Sequence, residues 1–219
     1  MNLSRRQFLI DGALLIPIST LTGCGASAQP LKRNYALVYD ESRCIGCEAC
    51  VQACRTVNQV PESVTRLRIE RRGPFGEGPD THYRFARKSC EHCETAACIS
   101  VCPTGACFRD ENGIVDVESD KCVGCQYCIA ACPYKVRFVN PDTRSVDKCD
   151  FCRKTNLAQG RPPACVEACP TRALTFGDLN DPNSEIVQLL RRKQTYRDKV
   201  ELGTRPKIYR VPHGKGEVI

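Results

Sequence analysis

Apolar residues along this chain come in short alternating runs, never in long ones. Tyr35 to Tyr39, Tyr83 to Ala86, Ile114 to Val117, Val136 to Val139 and Leu174 to Phe176 have the length and alternation of strands. Ala49 to Thr56 and Ile129 to Ala131 predict single short helices among them. Residues 59–82 form a long insertion. In it Arg66-Leu67-Arg68-Ile69-Glu70-Arg71-Arg72 reads as a strand with a basic face, and Gly73-Pro74-Phe75-Gly76-Glu77-Gly78-Pro79 as a turn-rich loop. A solvated hairpin is expected there, with a docking surface as the alternative. In a second insertion, 153–164, Gly160 and Pro162-Pro163 break any helix. From Ser184 to Leu202, the positions of Ile186, Leu189, Leu190, Tyr196 and Val200 predict one or two short helices that pack on the rest of the chain, capped by Asn183 or Ser184. The breaker-rich tail 203–219 is expected to lie extended over a neighbouring part. Short strands interleaved with short helices make an α+β fold. No run reaches the ~18–20 apolar residues of a membrane-spanning helix.

The N-terminus has its own pattern. Ser4-Arg5-Arg6-Gln7-Phe8-Leu9 precedes a short apolar stretch with Leu14, Leu15, Ile16 and Ile18, interrupted by Asp11 and Gly12. A basic start, a weak apolar middle and a small-residue exit make an export signal of the twin-arginine kind, which carries folded, cofactor-loaded proteins. Ala26-Ser27-Ala28 offers cleavage after residue 28. Leu21-Thr22-Gly23-Cys24 resembles a lipobox and offers a lipid anchor at Cys24 instead, and a retained signal is the third option.

Composition changes the picture at one residue type. Of 219 residues 18 are cysteine, Trp is absent and Met occurs once, so cysteines must supply much of the cohesion. Sixteen of them fall into four groups, with Cys24 and Cys107 left over. The first is Cys44, Cys47, Cys50 and Cys54; the second Cys90, Cys93, Cys98 and Cys102, then Pro103. The third is Cys122, Cys125, Cys128 and Cys132, then Pro133; the fourth Cys149, Cys152, Cys165 and Cys169, then Pro170. The groups form an internal repeat: Cys102-Pro103-Thr104-Gly105-Ala106 matches Cys169-Pro170-Thr171-Arg172-Ala173. C-x2-C-x2-C-x3-C-P is the bacterial ferredoxin run. Three cysteines two apart wrap one corner of an iron–sulfur cube, and small Gly46 and Gly124 let the backbone turn closely around its sulfurs. The fourth lies too far along to close the same cube and binds the neighbouring cluster. Disulfides have no use for such triplets, and zinc takes its ligands from separate pairs. Sixteen ligands divide into four [4Fe–4S] clusters. Spacing alone leaves open which groups exchange their fourth cysteine.

The clusters also settle the charge. A formal +7 would admit a nucleic-acid role, but each oxidised cluster with its four thiolates carries roughly −2, which brings the loaded chain near neutrality. Lys121, Lys148 and Arg153 flank cysteines and are expected to raise nearby cluster potentials. Cys107 is expected to be a small buried hydrophobe. His82, His92 and His213 are expected to be exposed or to flank a cluster, and none replaces a missing ligand. No Ser-His-Asp set, phosphate loop or carboxylate pair is placed for catalysis, so the chain is not expected to be an enzyme with its own substrate.

The arrangement resembles the four-cluster electron-transfer subunits that accompany molybdopterin oxidoreductases such as dimethyl sulfoxide reductase and formate dehydrogenase. In that family the outer groups pair, as do the inner ones. Carried over, the resemblance implies Cys44, Cys47, Cys50 and Cys169 for one cluster, and Cys149, Cys152, Cys165 and Cys54 for a second. Cys90, Cys93, Cys98 and Cys132 would hold a third, and Cys122, Cys125, Cys128 and Cys102 a fourth. Related nitrate reductase subunits put Trp at one third-group position; here that group is complete. The first group has Arg55 where the others have Pro, which is usual for this family. Cys122-Val123-Gly124-Cys125-Gln126-Tyr127-Cys128, Asp147-Lys148-Cys149-Asp150-Phe151-Cys152-Arg153-Lys154-Thr155-Asn156 and Leu174-Thr175-Phe176-Gly177-Asp178-Leu179 narrow the resemblance to the ferredoxin subunits of formate-dependent (cytochrome c) nitrite reduction. That implies tandem two-cluster ferredoxin-like modules over residues 29–180, an outer one from 36–58 with 145–178 and an inner one from 83–140. Residues 1–28 would be the signal and 181–219 an extension packing on the ferredoxin region or a partner. It further implies a periplasmic electron carrier, membrane-associated through an integral-membrane quinol-oxidising partner. The electrons would go to a multihaem c-type cytochrome, or to a molybdopterin subunit in the rival reading. A cysteine-rich scaffold without iron is the rival of another class.

Overall fold

The computed structural model describes residues 32–214. The export signal, the cleavage point after Ala28 and the lipobox-like Cys24 lie outside the described residues.

Strand β1 (Tyr35–Asp40) is the centre of the largest sheet and is buried almost throughout. Two strands flank it. β8 (Leu174–Asp178) pairs antiparallel with Tyr35 opposite Asp178, and β9 (Ile208–Val211) pairs parallel with Leu37 opposite Ile208. The alternation of β1 sends Leu37 and Tyr39 into a core shared with cysteines, while Ala36 and Val38 pack under Ile186 of α5 (Glu185–Arg192). Glu185 at the start of α5 and Arg191 and Arg192 at its end match the helix dipole.

The remaining strands are hairpins: β2 (Leu67–Phe75) with β3 (His82–Ser89), β4 (Cys107–Arg109) with β5 (Val115–Val117), and β6 (Phe138–Val139) with β7 (Val146–Asp147). Helix α1 (Ala49–Asn58) packs on α4 (Ala164–Glu167), and α2 (Ala97–Ser100) packs on α3 (Tyr127–Ala130). No helix among the described residues is long and apolar enough to cross a membrane.

Several expectations change. The 59–82 insertion is not simply solvated: Leu67 is buried, and Arg66 pairs with Asp147 at 2.9 Å and Asp150 at 3.1 Å, anchoring the hairpin to the fourth cysteine group. The strand expected at Val136–Val139 keeps only its last two residues, because Lys135 is left-handed (φ 53°) and turns Val136 and Arg137 inward. Ser184 stands at the N-cap of α5, but its hydroxyl donates to the carbonyls of Asp178 (2.7 Å) and Asp181 (2.8 Å), not to the helix. In place of a second helix there is a short 3-10 turn at Val200–Leu202. Within the tail Ile208–Val211 is extended, and as β9 it completes the chain's own central sheet.

Candidate iron–sulfur centres

The first and third groups are built on the same loop. Gly46 and Gly124 are left-handed at φ +70° and +69°, and a Cβ at Gly46 would come within 2.2 Å of the Phe85 ring. Position 46 therefore needs glycine for backbone and for space. Glu48 and Gln126, in equivalent places, are also left-handed and lead directly into α1 and α3.

After the fourth cysteine the groups divide. Where proline follows, the helix stops at four residues and the chain turns. Gly105, Lys135 and Arg172 are left-handed there, and their N–H groups donate back to the carbonyls of Cys102 (3.4 Å), Cys132 (3.2 Å) and Cys169 (3.2 Å). Arg55 allows α1 to run ten residues instead. Its guanidinium donates to the carbonyls of Val60, Pro61 and Val64, and the extra turn carries Asn58, whose Nδ2 donates to Cys152 Sγ at 3.3 Å.

The cysteines gather across the groups. Cys44, Cys47, Cys50 and Cys169 line one cavity, and Cys90, Cys93, Cys98 and Cys132 line another. The thiol of Cys54 faces Cys149, Cys165 and Cys152. Cys102 and Cys128 both lie at Cys107, with Cys122 and Ile129 packed against the same small core; Cys125, in the same loop, is exposed. The sets adjoin one another, Cys50 acting on Cys165 and Cys90 on Cys149.

Every described cysteine is free. Among the described residues no three Cys, His, Asp or Glu side chains converge on a point where one metal ion would sit. A cubane is met differently: each thiolate takes its own iron at its own corner, so the sulfurs stand further apart than the ligands of a single ion.

The surroundings fit such a cofactor. Backbone N–H groups donate to sulfur: Ala173 to Cys169 (3.2 Å), Cys107 to Cys102 (3.4 Å) and Val146 to Cys122 (3.5 Å). Burial pushes the thiols of Cys50 and Cys93 up to about 12, and those of Cys149 and Cys165 up to about 11. Gathered thiolates in such sites need cationic iron to be deprotonated together. Arg87, 1% exposed, has two guanidinium nitrogens, Nε and Nη2, without a partner in the protein. Its strongest attractions are to Cys165, Cys149 and Cys50.

Three buried cations stand among these sets. Arg87 lines the cavity of Cys44, Cys47, Cys50 and Cys169 while acting on Cys149 and Cys165. Arg137 donates from Nη2 to Cys98 Sγ at 3.0 Å and from Nη1 to Cys107 Sγ at 3.3 Å, and also bonds Cys128. The Lys148 ammonium donates to the carbonyls of Val115 and Cys149, pairs with Asp116 at 3.6 Å and acts on Cys90 and Cys98.

Of the three cations singled out in the sequence, only Lys148 has this setting. Lys121 is exposed and pairs with Glu118 at 2.6 Å, and Arg153 is held on Asp116 at 2.8 Å. Arg87 and Arg137 escape a sequence reading because neither flanks a cysteine. The one signal is at Arg137, a charge inside the apolar run Val136-Arg137-Phe138-Val139; Arg87 stands among Arg84, Lys88 and Ser89 and carries no such mark.

Cys107 is buried, and its S–H donates to Cys128, which holds Cys107 protonated and lowers Cys128. His92 is neither exposed nor ligand-like. It is fully buried, stacks on Phe151 at 3.7 Å, accepts the Val115 N–H at Nδ1 (3.3 Å) and is kept neutral by burial. His82 and His213 stack on each other at 5.8 Å, away from the cysteines.

Comparison with known proteins gives consistent matches. Residues 81–179 match a 4Fe-4S dicluster domain, and residues 43–106 match another. The sequence is 63% identical over 222 residues to protein NrfC of Escherichia coli K12, covering 100% of this protein and 99% of that one. It is 55% identical over 219 residues to the NrfC homolog of Haemophilus influenzae, covering 98% and 97%. To the thiosulfate reductase electron transfer subunit PhsB of Salmonella typhi it is 49% identical over 181 residues, covering 82% and 93%.

Proposed function

The protein belongs to the family of 4Fe-4S dicluster proteins that includes protein NrfC, and on that premise we propose that it is the periplasmic electron carrier of a membrane-associated oxidoreductase system. It holds four [4Fe–4S] clusters, takes electrons from a quinol-oxidising membrane subunit and passes them towards a c-type cytochrome nitrite reductase. The observation that carries the cluster part of this reading is the gathering of cysteines from different groups, two complete fours lining a cavity each, with the first three sets adjoining and Arg137 bridging Cys98 to Cys128.

When bound, a cluster supplies one-electron oxidation and reduction without any bond to the transferred group. The protein's own residues do the rest. Cys44, Cys47, Cys50 and Cys169 hold one cluster, and Cys149, Cys152, Cys165 and Cys54 the next. Cys90, Cys93, Cys98 and Cys132 hold the third, and Cys122, Cys125, Cys128 and Cys102 the fourth. Of the inner thiols Cys54, Cys90, Cys149, Cys152 and Cys165 are buried and Cys93, Cys98 and Cys132 half-buried, whereas Cys47 and Cys125, on the first and last sets, are exposed. The row thus has two open ends. The Arg5-Arg6 signal supports folding and cluster insertion before export.

A second reading, the same carrier serving a sulfur-compound or S- or N-oxide reductase with a molybdopterin subunit, is favoured by the identity to a thiosulfate reductase electron transfer subunit. Anaerobic co-purification from gently solubilised membranes separates the two. C-type haem and a hydrophobic partner, with ~16 irons in this protein, support the nitrite route. Molybdopterin moves the protein to the second reading. Absence of iron overturns both.

A further inference from the structure

We propose that Arg87, Lys148 and Arg137 are redox-tuning residues, each placed in one gap of the row and acting on the two clusters that border it. The inference rests on the four-cluster reading. Arg87 stands between the first and second sets, Lys148 between the second and third, and Arg137 between the third and fourth. Each is at least nine-tenths buried, at 1%, 1% and 6% exposure.

Burying a cation is costly unless opposite charge meets it. Arg87 and Lys148 have carboxylates nearby, Glu91 and Asp116. Among the described residues Arg137 pairs with no carboxylate, and sulfurs are its partners. Two of its sulfur partners, Cys98 and Cys128, are ligands of the third and fourth sets, so a loaded pair of clusters would meet its positive charge. An arginine keeps that charge at any working pH.

Reduction adds one negative charge to a cluster. A fixed cation beside it favours the reduced form and raises the potential, the more so where water is excluded. A cation in a gap does this for both neighbours at once and so leaves the difference between them little changed. An exposed cation such as Lys121 does not, because water and Glu118 already screen it.

The test is anaerobic potentiometric titration of the full-length, cluster-loaded protein followed by EPR. Arg87→Gln, Lys148→Gln and Arg137→Gln should each lower two of four midpoints, by about tenfold in the reduction equilibrium, ~59 mV for a one-electron couple. The pairs moved by R87Q and R137Q should share no member, and K148Q should move one from each pair. Lys121→Gln should move none. Unmoved midpoints at full iron content overturn the proposal, as do four equal shifts or the same pair moved by R87Q and R137Q.

If R137Q loses iron, Arg137→Lys decides. Full iron and native midpoints support the role of charge, whereas iron loss in R137K makes the guanidinium fork structural and overturns tuning. Iron and sulfide analysis of the wild-type protein keeps the readings apart: far fewer than ~16 irons refutes the four-cluster reading itself.

Discussion

The Asn58 amide donates to Cys152 Sγ at 3.3 Å, and such bonds stabilise a sulfur that gains negative charge on reduction. Asn58→Leu keeps the volume and removes the donor. It should lower one midpoint by on the order of 1 kcal/mol, some tens of mV, with the other three unmoved in the same EPR titration. Lys207 makes a different kind of prediction. It is 1% exposed and donates to the Gly113 carbonyl and to Asn34 Oδ1 at 3.2 Å. Burial, helped by Arg109, pushes its pKa down to about 8 from 10.5. Between those values the unfolded state binds a proton that the folded state has released, so stability rises with pH across that window. Against Lys207→Met the wild type should gain up to about 3 kcal/mol from pH 7 to 10.5, followed as the difference in Tm in anaerobic melts. A pH-independent difference would mean that the ammonium is solvated.

Helix α1 is more than twice as long as α2, α3 and α4 for want of one proline. Arg55→Pro should truncate it after Cys54, remove the arginine's bonds to the carbonyls of residues 60, 61 and 64, and withdraw Asn58. The expected cost is ~3 kcal/mol, read as a lower Tm of the loaded protein; an unchanged Tm would show that the last turn of α1 contributes little. Elements differ in how far the sequence announces them. β1, β3, β5, β8, α1 and α3 were all legible, because each carries its own period or its own cysteine spacing. β7 and the place of β9 were not. A two-residue strand has no period, and the parallel pairing of Leu37 with Ile208 joins distant parts of the sequence and leaves no local mark. At the centres the cysteines were legible from spacing. Arg87, Arg137 and Asn58 were not, because what they do depends on which groups the fold brings together. Of the three flanking cations the fold buries only Lys148 among the cysteines, while Lys121 and Arg153 are held on Glu118 and Asp116.

At the scale of the whole molecule, four bound clusters as proposed would bring the formal charge of +7 near neutrality, so long-range attraction is a weak guide to its partners. Local contact has to do more. At each open end of the row an exposed cysteine sits among exposed apolar side chains: Cys47 beside Ile45 (61% exposed), and Cys125 between Val123 (69%) and Tyr127 (62%). Apolar residues left open beside the outermost ligands suit brief, close docking of a redox partner, where a contact must exclude water without being tight. Ile45→Glu and Tyr127→Glu each put a charge in such a contact. Both should leave the midpoints and the iron content essentially unchanged, since the two side chains are mostly exposed and water screens an added charge there. Each should slow one half-reaction about tenfold, the cost of ~1.4 kcal/mol in the encounter complex, and spare the other. Stopped-flow reduction by a quinol-loaded membrane fraction and reoxidation by the electron acceptor measure the two halves separately. If one variant slows both, or both slow the same half, the row does not have a partner at each end.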